Sequence, residues 1–284
     1  METIMKTVLV TGASGFLGSH FVDELSQDSD YQIRKFVGDI KDKGDVVRNL
    51  RGCDTVVHFA ALTYLPPSWD TPEAYFRVNT EGTLNFIENS SMFKYFIYIS
   101  SSHVYGNQPK FPIEIDDEPL PNDPYSVSKR AAELLVRAYT ERYNFKSLII
   151  RPFNNFGPRQ SSHFVVPTMC LQALREKRIH IKNNSWREFI YCKDTARIVY
   201  QLLEKRHEGL LQIARGEPFL ISSMGDLIAE HTGAGSVEVE NVPRPNDIMR
   251  LHGSPASLMK ALPDFKWTPI GQAIEETVNY YRQV

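Results

Sequence analysis

The stretch PYSVSK sets Tyr125 four residues before Lys129, a pair that can do chemistry if both side chains share one helix face. A lysine ammonium beside a phenol favours tyrosinate and lowers an ionisation that ordinarily lies near pH 10, which makes a base. Spacing alone decides nothing in a chain with 13 tyrosines, and it recurs at Tyr31 and Lys35. Local context separates the two pairs. Pro124 suits the first turn of a helix and SKRAAELLVRAYTERY continues it, so Tyr125 and Lys129 stack one turn apart. Tyr31 and Lys35 fall in the strand-like run YQIRKFV, where four residues of rise hold them ~13 Å apart.

Two further stretches carry chemistry. In TVLVTGASGFLGSH, Gly12, Gly15 and Gly18 follow a strand and open a helix. Glycines there allow a tight turn and close approach of backbone to a pyrophosphate, which the free N–H groups of the helix start attract. In YFIYISSSHVYG a strand ends in Ser100, Ser101 and Ser102, at the sheet edge where ligands of such folds bind.

The elements that position these groups alternate. TVLVT, YQIRKFV, TVVHFA, YFIYIS and SLIIRP read as strands, separated by helices from Phe16, near Val46, over Phe76–Asn89 and from Tyr125. Such alternation predicts a doubly wound α/β fold, a parallel sheet covered by helices. After Arg151 the elements shorten and Pro and Gly become frequent, which predicts a smaller lobe. The run LLQIA at 210–214 is expected to return to the main sheet. The expected division is therefore interleaved: 1–155 and 188–214 as the dinucleotide-binding domain, 156–187 and 215–284 as the substrate lobe.

The bulk numbers point to small ligands. With 284 residues, 42% hydrophobic, the chain can bury a large core, and a net charge of −2 gives no basic excess for nucleic acid or anionic lipid. No stretch approaches the ~18 apolar residues of a membrane span, and the first residues enter a strand without the apolar core of a signal peptide. A cytoplasmic protein is expected. Cys53, Cys170 and Cys192 lack metal-ligand spacing, so free thiols and no metal are expected.

In order and spacing, VTGASGFLG, GDI at 38–40, HFAAL at 58–62, VNTEGTLN at 78–85, SSSHVYG at 100–106, PYSVSK, RPFNNFGPRQ at 151–160, REFIYCKDTA at 187–196 and RPNDIMR at 244–250 resemble the extended short-chain dehydrogenase/reductase superfamily, in its NAD-dependent nucleotide-sugar epimerase/dehydratase branch. The resemblance covers nearly the whole chain. It implies a Rossmann domain that binds NAD, with NADP left open, and a nucleoside-diphosphate sugar as substrate. It makes Tyr125 the base, Lys129 its partner and the holder of the nicotinamide ribose, and Ser101 the hydroxyl on the reacting sugar oxygen. Ser100 and Ser102 are the alternatives to Ser101 if the register slips. Gly12, Gly15, Phe16, Leu17, Gly18, Asp39, Ile40, Ala60, Ala61, Asn79 and Phe153 fall on cofactor positions. Ser102, His103, Asn154, Arg187 and Arg244 fall on substrate positions, the arginines suited to a diphosphate. The resemblance further implies a homodimer, with helices 72–90 and 125–143 joining their copies in a four-helix bundle.

Departures from the branch inform too. Its 4,6-dehydratases commonly carry Asp-Glu where this chain has Ser102 and His103, and removing water needs an acid–base pair there. Relatives place two strands between the glycine loop and HFAA; here only YQIRKFV is found, leading into Gly38-Asp39-Ile40. Roughly twenty residues are lacking, and Asp39 stands either for the ribose acid or, as its GDI setting favours, for the adenine position. The reading is a C4 epimerase working through a transient 4-keto sugar. A reductase of 4-keto-6-deoxy sugars and a non-catalytic dinucleotide sensor are its rivals.

Overall fold

The structure, a computed structural model, describes residues 5–143, 145–242 and 247–284. Along the chain run β1 (Lys6–Thr11), α1 (Phe16–Leu25), β2 (Tyr31–Lys35), α2 (Lys43–Leu50), β3 (Thr55–His58), α3 (Pro67–Asp70), α4 (Pro72–Tyr75), a π-helical stretch Phe76–Glu81, α5 (Gly82–Ile87), β4 (Tyr95–Ile99), α6 (Pro124–Tyr143), β5 (Lys146–Pro152) and β6 (Asn154–Phe156). Then follow α7 (Val165–Glu176), β7 (Arg178–Ile181), β8 (Trp186–Tyr191), α8 (Cys192–Glu204), β9 (Gly209–Ile213), β10 (Pro218–Leu220), α9 (Ile221–Thr232), β11 (Ser236–Val239), β12 (Arg250–Leu251), α10 (Ala256–Ala261) and α11 (Ile270–Gln283).

The chain divides into two compact units, each described by itself: 1–106, 118–151 and 196–211 form the first, 107–117, 152–195 and 212–284 the second. This differs from the expected division. Residues 188–195 belong to the second unit because β8 pairs with β10, β12 and β6 instead of joining the main sheet. Residues 107–117 join it too, since Ile113 exchanges backbone hydrogen bonds with His252 and Ser254.

The first unit is built on the sheet β2-β1-β3-β4-β5-β9. Every pair from β2 through β5 is parallel, in the register Val10↔Lys35, Thr11↔His58, His58↔Tyr98 and Ile99↔Ile150. β1, β3, β4 and β5 read as largely apolar runs because both faces are covered, whereas β2, at the sheet edge, is half-buried or exposed beyond Tyr31. Leu9, Val56, Phe96, Tyr98 and Ile149 share one core with Val46 and Leu50 of α2, Phe86 and Ile87 of α5 and Ala132 and Val136 of α6. Val8, Val10, Val57 and Ile97 alternate with them and are as deeply buried. The 210–214 run reaches this sheet as β9, and β2 is the single strand between the glycine loop and HFAA.

In the second unit Glu188 of β8 is wholly buried and accepts the backbone N–H groups of Gly216 and Gly253, each at 2.8 Å, and that of Arg215. Burial pushes its carboxyl up to about 7 against these bonds. Arg244 lies outside the described residues.

Candidate active site

β1 ends at Thr11 and the chain turns at Gly12, whose φ of +63° suits glycine. A Cβ at Gly12 would lie 2.8 Å from the Ala60 nitrogen, and one at Gly18 only 2.1 Å from the Gly12 carbonyl oxygen. The loop therefore closes on itself and on the end of β3 as tightly as glycine permits. It leads into the first turn of α1, with Phe16 and Leu17 half-buried there. An open groove of ≈490 Å³ starts at this loop and is lined by Gly12, Ala13 and Ser14, by Lys35 and Phe36 at the end of β2, by Gly38, Asp39 and Ile40, by Ala60 and Ala61, and by Val78. Shape and chemistry fit a dinucleotide: backbone and a helix start for a pyrophosphate, then apolar walls with one carboxylate.

Five of the expected cofactor residues line this groove: Gly12, Asp39, Ile40, Ala60 and Ala61. Asp39 is exposed; its Oδ1 accepts the Lys41 N–H at 2.9 Å and its Oδ2 lies 3.3 Å from Lys41 Nζ. Asn79 is fully buried, and its amide bonds to Leu62 N–H (2.8 Å), Leu62 carbonyl (3.1 Å) and Ser128 hydroxyl (2.9 Å), which braces the loop after β3 against α6. Phe153, in the second unit, is 2% exposed, its ring pressed beneath Gly253.

Tyr125 and Lys129 sit in the first two turns of α6. Asp123 caps that helix by accepting the Ser126 N–H at 2.8 Å, a role beside the one expected of Pro124. Both side chains are buried, Lys129 to 2% exposure, with Nζ donating to the Ile99 carbonyl at 2.6 Å and lying 4.4 Å from the centre of the Tyr98 ring. The Ser101 hydroxyl eases ionisation of the Tyr125 phenol and accepts the His103 N–H at 3.2 Å. Of its neighbours, Ser100 turns to Glu133 at 2.6 Å, and Ser102 is buried in the following turn. The His103 ring stands 6.1 Å from that of Tyr125.

One expectation fails in its sign. Burial pushes the Tyr125 phenol up to about 12, with the Ser101 bond opposing, and pulls Lys129 down to about 7. Withdrawal from water disfavours both charges and is the largest influence on each. His58, packed between the Thr11 and Thr83 hydroxyls at 2.9 and 3.2 Å, is held neutral by burial and then by Lys129.

In the second unit Asn154 is half-buried, with no hydrogen-bond partner for its Oδ1. Arg187 donates one bond, to the Trp186 carbonyl at 2.9 Å; burial lowers it to about 10, with Asp247 opposing. Sequence reasoning missed the groove residues Ser14, Lys35, Phe36 and Val78, and the buried Glu133 and Arg151. For Glu133 a signal existed, since Tyr125, Lys129 and Glu133 repeat at four-residue spacing.

The sequence model of the NAD dependent epimerase/dehydratase family matches residues 8–214. A dTDP-glucose 4,6-dehydratase of Streptomyces niveus is 26% identical over 97% of this chain and 92% of its own. Among solved structures, the UDP-N-acetylglucosamine 4-epimerase of Methanobrevibacter ruminantium, in complex with UDP-N-acetylmuramic acid, superposes with a TM-score of 0.89 at 28% identity over 98% of both chains. The UDP-glucose 4-epimerase of Thermus thermophilus, in complex with NAD, gives 0.85 at 27% identity, over 97% of this chain and 99% of that one. No helix among the described residues is long and apolar enough to cross a membrane, and none of their His, Cys, Asp and Glu side chains cluster as a metal site would.

Proposed function

The chain belongs to the NAD-dependent epimerase/dehydratase family and is an enzyme that uses NAD; from that premise we propose that it epimerises a nucleoside-diphosphate sugar at C4 through a 4-keto sugar. One observation supports the reading: Ser101, Tyr125 and Lys129 are all present, while the two positions after Ser101 are Ser102 and His103, without a carboxylate to take a C5 proton and expel water. The S. niveus relative named as a dehydratase is set aside on that ground, and the two 4-epimerases support the same reading.

Bound NAD supplies a hydride acceptor that later returns the hydride, and a positive ring charge that favours tyrosinate. Gly12 and the start of α1 would hold the pyrophosphate, and Ile40 and Asp39 the adenosine. Lys129 would keep the nicotinamide ribose and, when charged, would oppose the cost of ionising Tyr125. Tyr125 would accept the proton of the C4 hydroxyl while Ser101 donates a hydrogen bond to that oxygen, and after the keto sugar turns over Tyr125 would give the proton back. The cycle leaves no net redox change. Asn154, Arg187 and Arg244 are assigned to the substrate diphosphate, Ser102 and His103 to the sugar. A homodimer is part of the reading, supported by Val127 and Leu134, seven residues apart on α6 and 37% and 50% exposed.

The test is incubation of the purified protein with UDP-glucose, UDP-N-acetylglucosamine and dTDP-glucose, followed by NMR of the sugar. Inversion at C4 without added reductant supports the proposal. Loss of water to a 4-keto-6-deoxy product, or turnover only of a 4-keto-6-deoxy sugar with NAD(P)H, overturns it.

A further inference from the structure

The face of α6 that carries Tyr125 and Lys129 continues one turn further to Glu133, which is 1% exposed. Its carboxylate collects four donors: Arg151 Nε and Nη2 at 2.9 and 2.7 Å, Arg130 Nη1 at 2.9 Å and the Ser100 hydroxyl at 2.6 Å. Arg151 is as deeply buried, its guanidinium 4.7 Å from the Tyr105 ring centre. The chemistry above uses none of this. Stability alone does not account for it, because an apolar pair of equal volume holds two elements together at least as well as a buried ion pair.

Placement supplies the missing role. Ser100 lies between Ile99, whose carbonyl accepts from Lys129 Nζ, and Ser101, whose hydroxyl eases ionisation of Tyr125. Glu133 grips the strand end at the residue between the two contacts that hold the base. We infer that Glu133, locked by Arg151, is a positioning residue for Tyr125 and Lys129: through Ser100 it fixes residues 99–101, and with them the carbonyl that holds Lys129, against α6. The inference rests on Tyr125 being the base.

Charge alone does not give this role. His58 on β3, Tyr98 on β4 and Glu133 on α6 stand around Lys129, Asp123 and Tyr75 face Tyr125, and Arg130 and Arg151 offset the charge of Glu133. Loss of an anion makes deprotonation of its neighbours easier, so neutralising Glu133 does not by its charge oppose ionisation of Tyr125. What the substitution removes is the grip on Ser100.

The test is turnover of the NAD-loaded protein, with Tyr125→Phe as the blank. In Glu133→Gln kcat falls about tenfold or more while KM and NAD affinity hold. A second variant, Glu133→Gln with Arg151→Met, removes the stranded cation and recovers the melting temperature, yet keeps the loss of kcat. Recovery of the unsubstituted kcat in that double variant overturns the inference, and so does an unchanged kcat in Glu133→Gln. Full turnover in Tyr125→Phe sinks the base itself, a failure distinct from the other two.

Discussion

Replacing Tyr125 by Phe removes one oxygen from a ring that stays in place. The ring is packed edge-on to Tyr75 at 6.3 Å and to His103 at 6.1 Å, contacts that phenylalanine keeps. Ser101, the one group that eases ionisation of the lost hydroxyl, still accepts the His103 N–H. Folding stability should therefore drop by only ~0.5–1.5 kcal/mol, the net worth of one hydrogen bond. Turnover should suffer far more, because no other group stands at that position to take the C4 hydroxyl proton. Loss of a general base costs about 10²–10⁴-fold, or ~3–5 kcal/mol on the barrier. The assay is epimerisation of the accepted nucleotide sugar at saturating NAD, with a melting curve and an NAD titration on the same preparation. A variant that folds, binds NAD and retains more than about a tenth of the rate would refute the reasoning.

Other outcomes follow from the same geometry. Asp39→Ala removes the one carboxylate lining the groove and should weaken NAD binding by ~1–3 kcal/mol while turnover at saturating NAD holds; unchanged affinity in a titration would leave Asp39 a turn residue only. Gly18→Ala drives a Cβ to 2.1 Å from the Gly12 carbonyl oxygen, so calorimetry should show destabilisation by ~1–3 kcal/mol and NAD affinity should fall. Lys129 titrates near 10.4 when unfolded and about 7 when folded, so between these values the unfolded chain binds more protons and stability rises with pH, by about 1.4 kcal/mol per unit at most. Melting curves of Lys129→Met should lack that rise and show the variant relatively favoured below pH 7; parallel pH profiles would remove the claim. Sedimentation at micromolar concentration should give a species of twice 32.5 kDa, and a monomer alone would cancel the dimer.

The sequence by itself determined the order of strands and helices, because the parallel strands are apolar on both faces and the helices between them carry their own start signals. It also determined the glycine loop and the Tyr125–Lys129 face, since both are local: three or four residues of spacing fix which groups share a turn. The single strand before Asp39 was legible for the same reason. Non-local matters were not. Which of Ser100, Ser101 and Ser102 faces Glu133 depends on the register of β4 against α6, which the Glu133–Ser100 bond reports and no spacing does. The bonds of the Asn79 amide to Leu62 and to Ser128, the latter 49 residues away, are equally non-local. Residues 188–195 look continuous with the main sheet until strand pairing assigns β8 elsewhere. The ionisation of Tyr125 is the clearest case: proximity of a lysine is visible in the sequence, but the depth of burial that disfavours both charges belongs to the packed tertiary structure alone.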